Sequence, residues 1–197
     1  MNLNKFETPF IDTQALLCEL SGYNRPMDWI SRQVKKGTLV RLKNGLYYIA
    51  DRSYFIAQAA NRLYGPSYVS LHWALSYYGL IPERTVTITN ITTKRNKSYS
   101  TPLGEFTYLH VNTERFALAY NRIEHAAGSY LIASPEKALV DFVYHYCLPQ
   151  DLLIQLIESY RFTIEDLKNL DQLLLLQIAD EFKSSIIYQL TKVLRCL

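Results

Sequence analysis

Glu136, Lys137 and Asp141 come closest, in this 197-residue chain, to a catalytic set. Two carboxylates beside a lysine are what a metal-dependent nuclease uses to hold a divalent ion. The local pattern points elsewhere. In Ala133-Ser134-Pro135-Glu136 the serine suits a helix N-cap, the proline the first helical position, and the glutamate the positive end of the helix dipole. Adjacent helical residues project about 100° apart, so Glu136 and Lys137 diverge, and capping with surface pairing is the expectation. The four histidines, His72, His110, His125 and His145, show no metal spacing. There is no Cys-x-x-Cys, no His-Glu-x-x-His, no glycine-rich phosphate loop and no Gly-x-Ser-x-Gly elbow. Cys18, Cys147 and Cys196 are too far apart to suggest a site; Cys18 and Cys147 fall in apolar patterns and read as buried free thiols. The sequence therefore predicts no catalytic residue, no metal and no cofactor.

The cations form the stronger pattern. Net charge is only +3, but residues 1–65 hold nine basic and five acidic residues, whereas residues 151–197 hold five and seven. Between residues 24 and 45 six basic residues face a single acid, Asp28. A local basic patch of this kind is the electrostatic footprint of a polyanion binder.

The elements that would position these charges can be read from periodicity. Asp12 caps a helix through Ala15, Leu16, Leu17 and Leu20 that ends at Gly22. Pro26 opens a second helix, 26–36, stopped by Gly37. Met27, Ile30 and Val34 make its apolar stripe, which puts Asp28, Trp29, Arg32 and Lys36 on the opposite face with Lys35 at its flank. Strands 39–43 and 46–49 follow, joined by Asn44-Gly45, the dipeptide a tight type I′ hairpin turn prefers. A regular two-residue loop pairs Lys43 with Leu46, Leu42 with Tyr47, Arg41 with Tyr48 and Val40 with Ile49. On that register Val40, Leu42, Tyr47 and Ile49 share one face, and Arg41 and Lys43 the other. A helix with a basic outer face followed by a basic-tipped hairpin is the layout of a winged helix-turn-helix. Of the sixteen tyrosines only Tyr47 and Tyr48, in the hairpin, come near this surface, and Tyr47 is expected inward.

Beyond it, residues 53–64 read as a connecting helix stopped by Gly65-Pro66, where we place the domain boundary. Ser70 caps a short helix that exits at Gly79. Residues 85–93, 104–111 and 129–133 read as strands, with the basic loop Lys94-Arg95-Asn96-Lys97 between the first two. From Ser134 onward the chain reads as helical, with a cap at Thr163. The fold class expected is α+β: a winged helix over 1–52, a connecting helix over 53–66, and a mixed α/β domain over 67–197. The start of the chain lacks an apolar run, no stretch has the roughly 20 apolar residues of a membrane span, and a cytoplasmic protein is expected.

Three segments carry a resemblance. "LVRLKNGLYYI" resembles the wing of the AbiEi antitoxin family, "YVSLHWALSYYGLIPE" is similar to that family's segment ending in Gly-Leu-Ile-Pro-Glu, and "IASPEKALVDFVY" to its Ala-Ser-Pro-Glu-Lys-Ala-Leu segment. They occur in the family's order over about residues 24–147. The resemblance implies a winged-helix DNA-binding domain followed by an antitoxin domain. It implies an autorepressor that binds operator inverted repeats; one winged helix covers too little DNA for strong selectivity, so two copies are expected to act on a repeated site. It also implies a counterpart, a co-encoded nucleotidyltransferase-like toxin of an abortive-infection system, which need not be bound stably. The DNA-contacting cations would be Arg25, Arg32, Lys35 and Lys36 on the helix, Arg41 and Lys43 in the wing, and Lys94, Arg95 and Lys97 in the later basic loop. One departure is visible: winged helices usually place two helices before the recognition helix, and residues 1–24 have room for one. Either the first helix is lost or helix 53–64 packs in its place.

Overall fold

The structure, a computed structural model, describes residues 3–125 and 128–197; Met1, Asn2, Ala126, Ala127 and the side chains of Asn4 and His125 lie outside the described residues. The chain is a mixed α+β fold with a helical C-terminus. After a 3-10 turn at Leu3–Lys5 come β1 (Phe10–Asp12), α1 (Thr13–Glu19), α2 (Pro26–Lys35), β2 (Leu39–Lys43) and β3 (Leu46–Ile49). β1, which the sequence reading missed, pairs with β3 to give a three-stranded antiparallel sheet ordered β1-β3-β2. Asp12 caps α1 as expected, accepting from the Ala15 amide at 2.8 Å. The Asn44-Gly45 turn is tied to the same point, because the Thr13 amide donates to the Gly45 carbonyl at 2.9 Å.

Next follow α3 (Ile56–Leu63), β4 (Ser67–Val69), α4 (Leu71–Tyr77), β5 (Ile88–Thr92), β6 (Lys97–Thr101), β7 (Gly104–His110), α5 (Thr113–Phe116), β8 (Tyr120–His125) and β9 (Gly128–Ala133). β4 to β9 build a six-stranded sheet ordered β6-β7-β5-β4-β9-β8, with β5–β7 and β4–β9 parallel. The helical end comprises α6 (Pro135–Tyr146), α7 (Leu152–Ile154), α8 (Ile164–Lys168), α9 (Gln172–Phe182) and α10 (Ser185–Arg195). α3 lies against β4 and β9 of the large sheet, not beside α1 and α2. It does not stand in for a lost first helix. No helix among the described residues is long and apolar enough to cross a membrane.

β3 is buried on both faces. Tyr47 and Ile49 join Leu16, Leu20, Trp29, Ile30 and Leu39 in a small core under α1 and α2. Leu46 and Tyr48, with Phe10 and Leu42, join the main core that runs through both sheets and the C-terminal helices. The N-terminal unit is therefore welded to the rest through one side of its sheet. Within the N-terminal unit Arg52 ties the start of the chain down by donating to the Phe6 and Leu3 carbonyls, while the Tyr48 hydroxyl donates to the Arg52 carbonyl at 2.6 Å. Both Tyr47 and Tyr48 are buried and unavailable to a ligand.

Candidate nucleic-acid interface

α2 sits rotated from the register its sequence suggests. Trp29 is 9% exposed and Met27 is 50% exposed, the reverse of the expectation. The reason is volume: the indole fills the small core beside Ile30 and meets Tyr23 edge-on at 6.5 Å, which turns Met27 to the margin. The turn moves the polar arc too. Asp28, Ser31, Arg32 and Lys35 are exposed on one side, with Lys36 at the helix end. Arg25, Asp28, Ser31, Arg32 and Lys35 line a shallow depression of about 470 Å³. Arg25 pairs with Asp28 at 3.7 Å, both well exposed, and the Arg32 Nε donates to the Asp28 carbonyl at 3.3 Å. Pairs this exposed contribute little stability and leave the guanidinium groups able to rearrange.

The hairpin departs from the regular register in a way that separates its two cations. Leu39 faces Ile49, Val40 faces Tyr48 and Arg41 faces Tyr47, but a bulge between Arg41 and Lys43 sets both Leu42 and Lys43 opposite Leu46. Leu42 follows Leu46 into the main core, and Lys43 goes with it to that side of the sheet. Arg41 and Lys43 therefore lie on opposite faces, which corrects the expectation that they share one. Arg41 is exposed on the α2 side, its guanidinium 5.8 Å from the Tyr47 ring and within 3.5 Å of the Tyr47 hydroxyl. With Met27, Ile30, Ser31, Val34 and Lys35 it borders a notch of about 220 Å³ between helix and strand.

Lys43 instead donates to the Leu63 carbonyl at 2.6 Å, capping the C-terminal end of α3. Lys94 and Lys97 stand close enough to act on it: burial first, and then their like charges, hold its pKa below the ordinary lysine value. The loop that carries Lys94 and Arg95 is fixed. The His110 amide donates to Asn96 Oδ1 at 2.7 Å, and the Lys94 amide donates to Thr92 Oγ1 at 3.2 Å. The Lys94 and Lys97 ammonium groups sit 5.3 and 5.6 Å from the ring centroid of Tyr64. Tyr64 with Thr93, Lys94, Arg95, Asn96 and His110 lines an open groove of about 790 Å³.

The nine predicted cations thus fall into two groups. Arg25, Arg32, Lys35, Lys36 and Arg41 gather about the outer face of α2. Lys43, Lys94, Arg95 and Lys97 gather about Tyr64 on the other side of the ribbon. Of the nine, only Arg25 forms an ion pair among the described residues. Tyr64, Asn96 and His110 were missed as part of this surface. Only the fold brings the end of α3, the β5–β6 loop and the end of β7 together, and no spacing along the chain encodes that.

The Glu136, Lys137 and Asp141 set is not on the surface, as the helical pattern had implied. Lys137 Nζ and Asp141 Oδ1 lie 2.5 Å apart with both side chains at 0% exposure. Asp141 Oδ2 accepts from the Tyr68 hydroxyl at 3.0 Å and the Ser70 hydroxyl at 2.8 Å. The ammonium lies 4.3 Å from the Phe182 ring centroid and 5.5 Å from that of Tyr68. Burial lowers the Lys137 pKa, with the Asp141 carboxylate opposing it. Ser70 does not cap α4: its hydroxyl is spent on Asp141, and Thr89 Oγ1 accepts from the Trp73 amide in its stead at 3.1 Å. Glu136 accepts from the Asp171 amide at 3.1 Å. Cys147 is buried and its thiol pushed up to about 11, whereas Cys18 is exposed, lying off the Leu16–Leu20 face of α1. No group of His, Cys, Asp and Glu among the described residues has the geometry of a metal site.

Compared with known proteins, the chain matches no family model and no curated protein sequence.

Proposed function

We propose that the chain is a DNA-binding transcriptional autorepressor and an antitoxin, with α2 as the helix that enters the major groove. The observation that carries this is the exposed cationic arc of α2, Arg32, Lys35 and Lys36, with Arg41 of β2 beside it. The order β1-α1-α2-β2-β3 and the sheet β1-β3-β2 support a winged helix that lacks its first helix. Phosphate contacts from these cations supply most of the affinity, and the outward residues of α2, Asp28, Ser31 and Arg32, supply the preference for sequence. One such unit covers too little DNA for strong selectivity, so two copies act on an inverted repeat.

The antitoxin half of the reading rests on the AbiEi-like segments. Two of them are joined at one buried point: Tyr68 and Ser70 from the second segment hold Asp141 from the third. The counterpart is a nucleotidyltransferase-like toxin encoded beside it. A gel shift of the protein with DNA upstream of its own gene tests the first half; a shift competed only by that sequence is expected, and none at low salt refutes it.

A second reading, a module that binds the toxin or its target without DNA, is favoured by one feature. Tyr77 is 47% exposed and stacked on Trp73 at 5.6 Å, an aromatic face of the kind protein partners bury. Co-purification with the neighbouring gene product at high salt, with no operator shift, would select it. A nuclease reading loses its support, since Asp141 is enclosed against Lys137 and Glu136 is 8% exposed. No metal-dependent cleavage is expected, and cleavage abolished by Glu136→Ala would restore it.

A further inference from the structure

We propose that the groove over Tyr64 binds unpaired nucleotides of a single nucleic-acid strand, with a base on the tyrosine ring and the phosphates on Lys94, Arg95 and Lys97. Its volume of about 790 Å³ suits a nucleotide-sized ligand. Three cations converge there, Lys94 and Arg95 in its lining and Lys97 beside the ring, and none has a carboxylate partner among the described residues. Burial first, and then the like charges of Lys94 and Lys97, hold the Lys43 pKa down, and an anion beside these lysines relieves the repulsive part. The ring is the second component. Tyr64 is half-buried and backed by Tyr108 at 5.3 Å and Tyr99 at 5.9 Å, so it is held as a platform. In the free protein the Lys94 and Lys97 ammonium groups occupy the ring as cation–π partners. An arriving base takes the ring face and the flexible lysines turn to the flanking phosphates. The anchoring of Asn96 and Lys94 through His110 keeps the loop in place for this.

A basic groove with an aromatic floor is the arrangement by which proteins hold single strands with little sequence preference. A duplex would use the lysines but not the ring, because its bases are stacked on each other. An acidic peptide would likewise need only the charges. The groove lies across the β2–β3 ribbon from α2, so this inference does not rest on the operator-binding reading.

The test is fluorescence anisotropy of the full chain with labelled oligo-dT, oligo-rU and a duplex of equal length. Tyr64→Ala should weaken single-strand binding by about tenfold and leave duplex binding unchanged, while Tyr64→Phe should bind strands as the parent does. Lys94→Ala with Arg95→Ala, both on an exposed loop, should weaken strand binding and reduce its salt slope by about 1.4. The two strand types distinguish RNA from DNA, and tighter binding of either supports the proposal. It is overturned if neither strand binds, if Tyr64→Ala weakens strand and duplex alike, or if poly-glutamate competes as well as oligo-dT. Should Tyr64→Ala not fold, the loop variant decides, and unchanged strand affinity overturns the proposal.

Discussion

Lys137 and Asp141 show what a single pair of residues can do inside this fold. Both are fully enclosed, and Asp141 spends its second oxygen on Tyr68 and Ser70. Removing one charge leaves the other buried without a partner. Lys137→Met should therefore destabilise the protein by about 3–5 kcal/mol in chemical denaturation, and a loss below about 1 would show the pair to be hydrated. Adding Asp141→Asn, which keeps an acceptor for the two hydroxyls, should restore part of the loss. His72 and His145 give a pH dependence. Burial is the first cause that lowers both pKa values below the ordinary imidazole value. The unfolded chain then takes up these protons before the folded one, so stability is present above about pH 6.5 and falls as pH drops below it. Thermal melts between neutral pH and about pH 5.5 should show this, and His72→Gln and His145→Gln should each flatten the curve. The start of α6 was legible in Ser134-Pro135-Glu136, and Ser134 does cap it by accepting from the Lys137 amide. The sequence hid the burial of Lys137 and Asp141, because a Lys–Asp pair at i, i+4 looks the same on a solvent face as in a core.

α2 and the β2–β3 hairpin are where element-level reading both succeeded and slipped. Existence and order were legible, with proline at the first helical position and glycine after the last; the turn falls at Asn44-Gly45 as expected but is not type I′, since of the two only Gly45 takes a positive φ, +83°. Facing was not legible. Periodicity weighed Met27 and Trp29 by type, but only the three-dimensional core decides which of two large apolar residues fits. Trp29→Ala should cost about 3–5 kcal/mol of stability, whereas Met27→Ala should stay within about 0.5 kcal/mol; equal costs would contradict the observed rotation. The bulge at Leu42 was equally hidden, since nothing in Leu-Val-Arg-Leu-Lys signals an extra residue on one strand. It turns Lys43 from a wing-tip phosphate contact into a cap on α3. Lys43→Ala should leave the salt slope of duplex binding within about half a unit while lowering stability by up to about 1 kcal/mol. The short strands β1, β4, β6 and β8 also escaped notice: β1 and β4 are three residues long with partners distant in sequence, and β6 and β8 are polar in pattern.

The molecule as a whole joins its two sheets through one core. A boundary near residues 52–66 suited the Gly65-Pro66 break, yet Phe10, Leu42, Leu46 and Tyr48 belong to the same cluster as the large sheet and the C-terminal helices. Residues 1–52 alone would expose that apolar face, so the fragment should be largely unfolded by circular dichroism, and the full chain should melt in one transition. Duplex binding of the kind proposed requires the exposed cations of α2 and β2 to meet phosphates. The direct measurement is the dependence of duplex affinity on salt for the parent protein and for the combined Arg32→Ala, Lys35→Ala, Arg41→Ala variant. Three phosphate contacts at these residues make the slope of log affinity against log salt shallower by about three in the variant, with its fold intact. An unchanged slope would contradict those contacts.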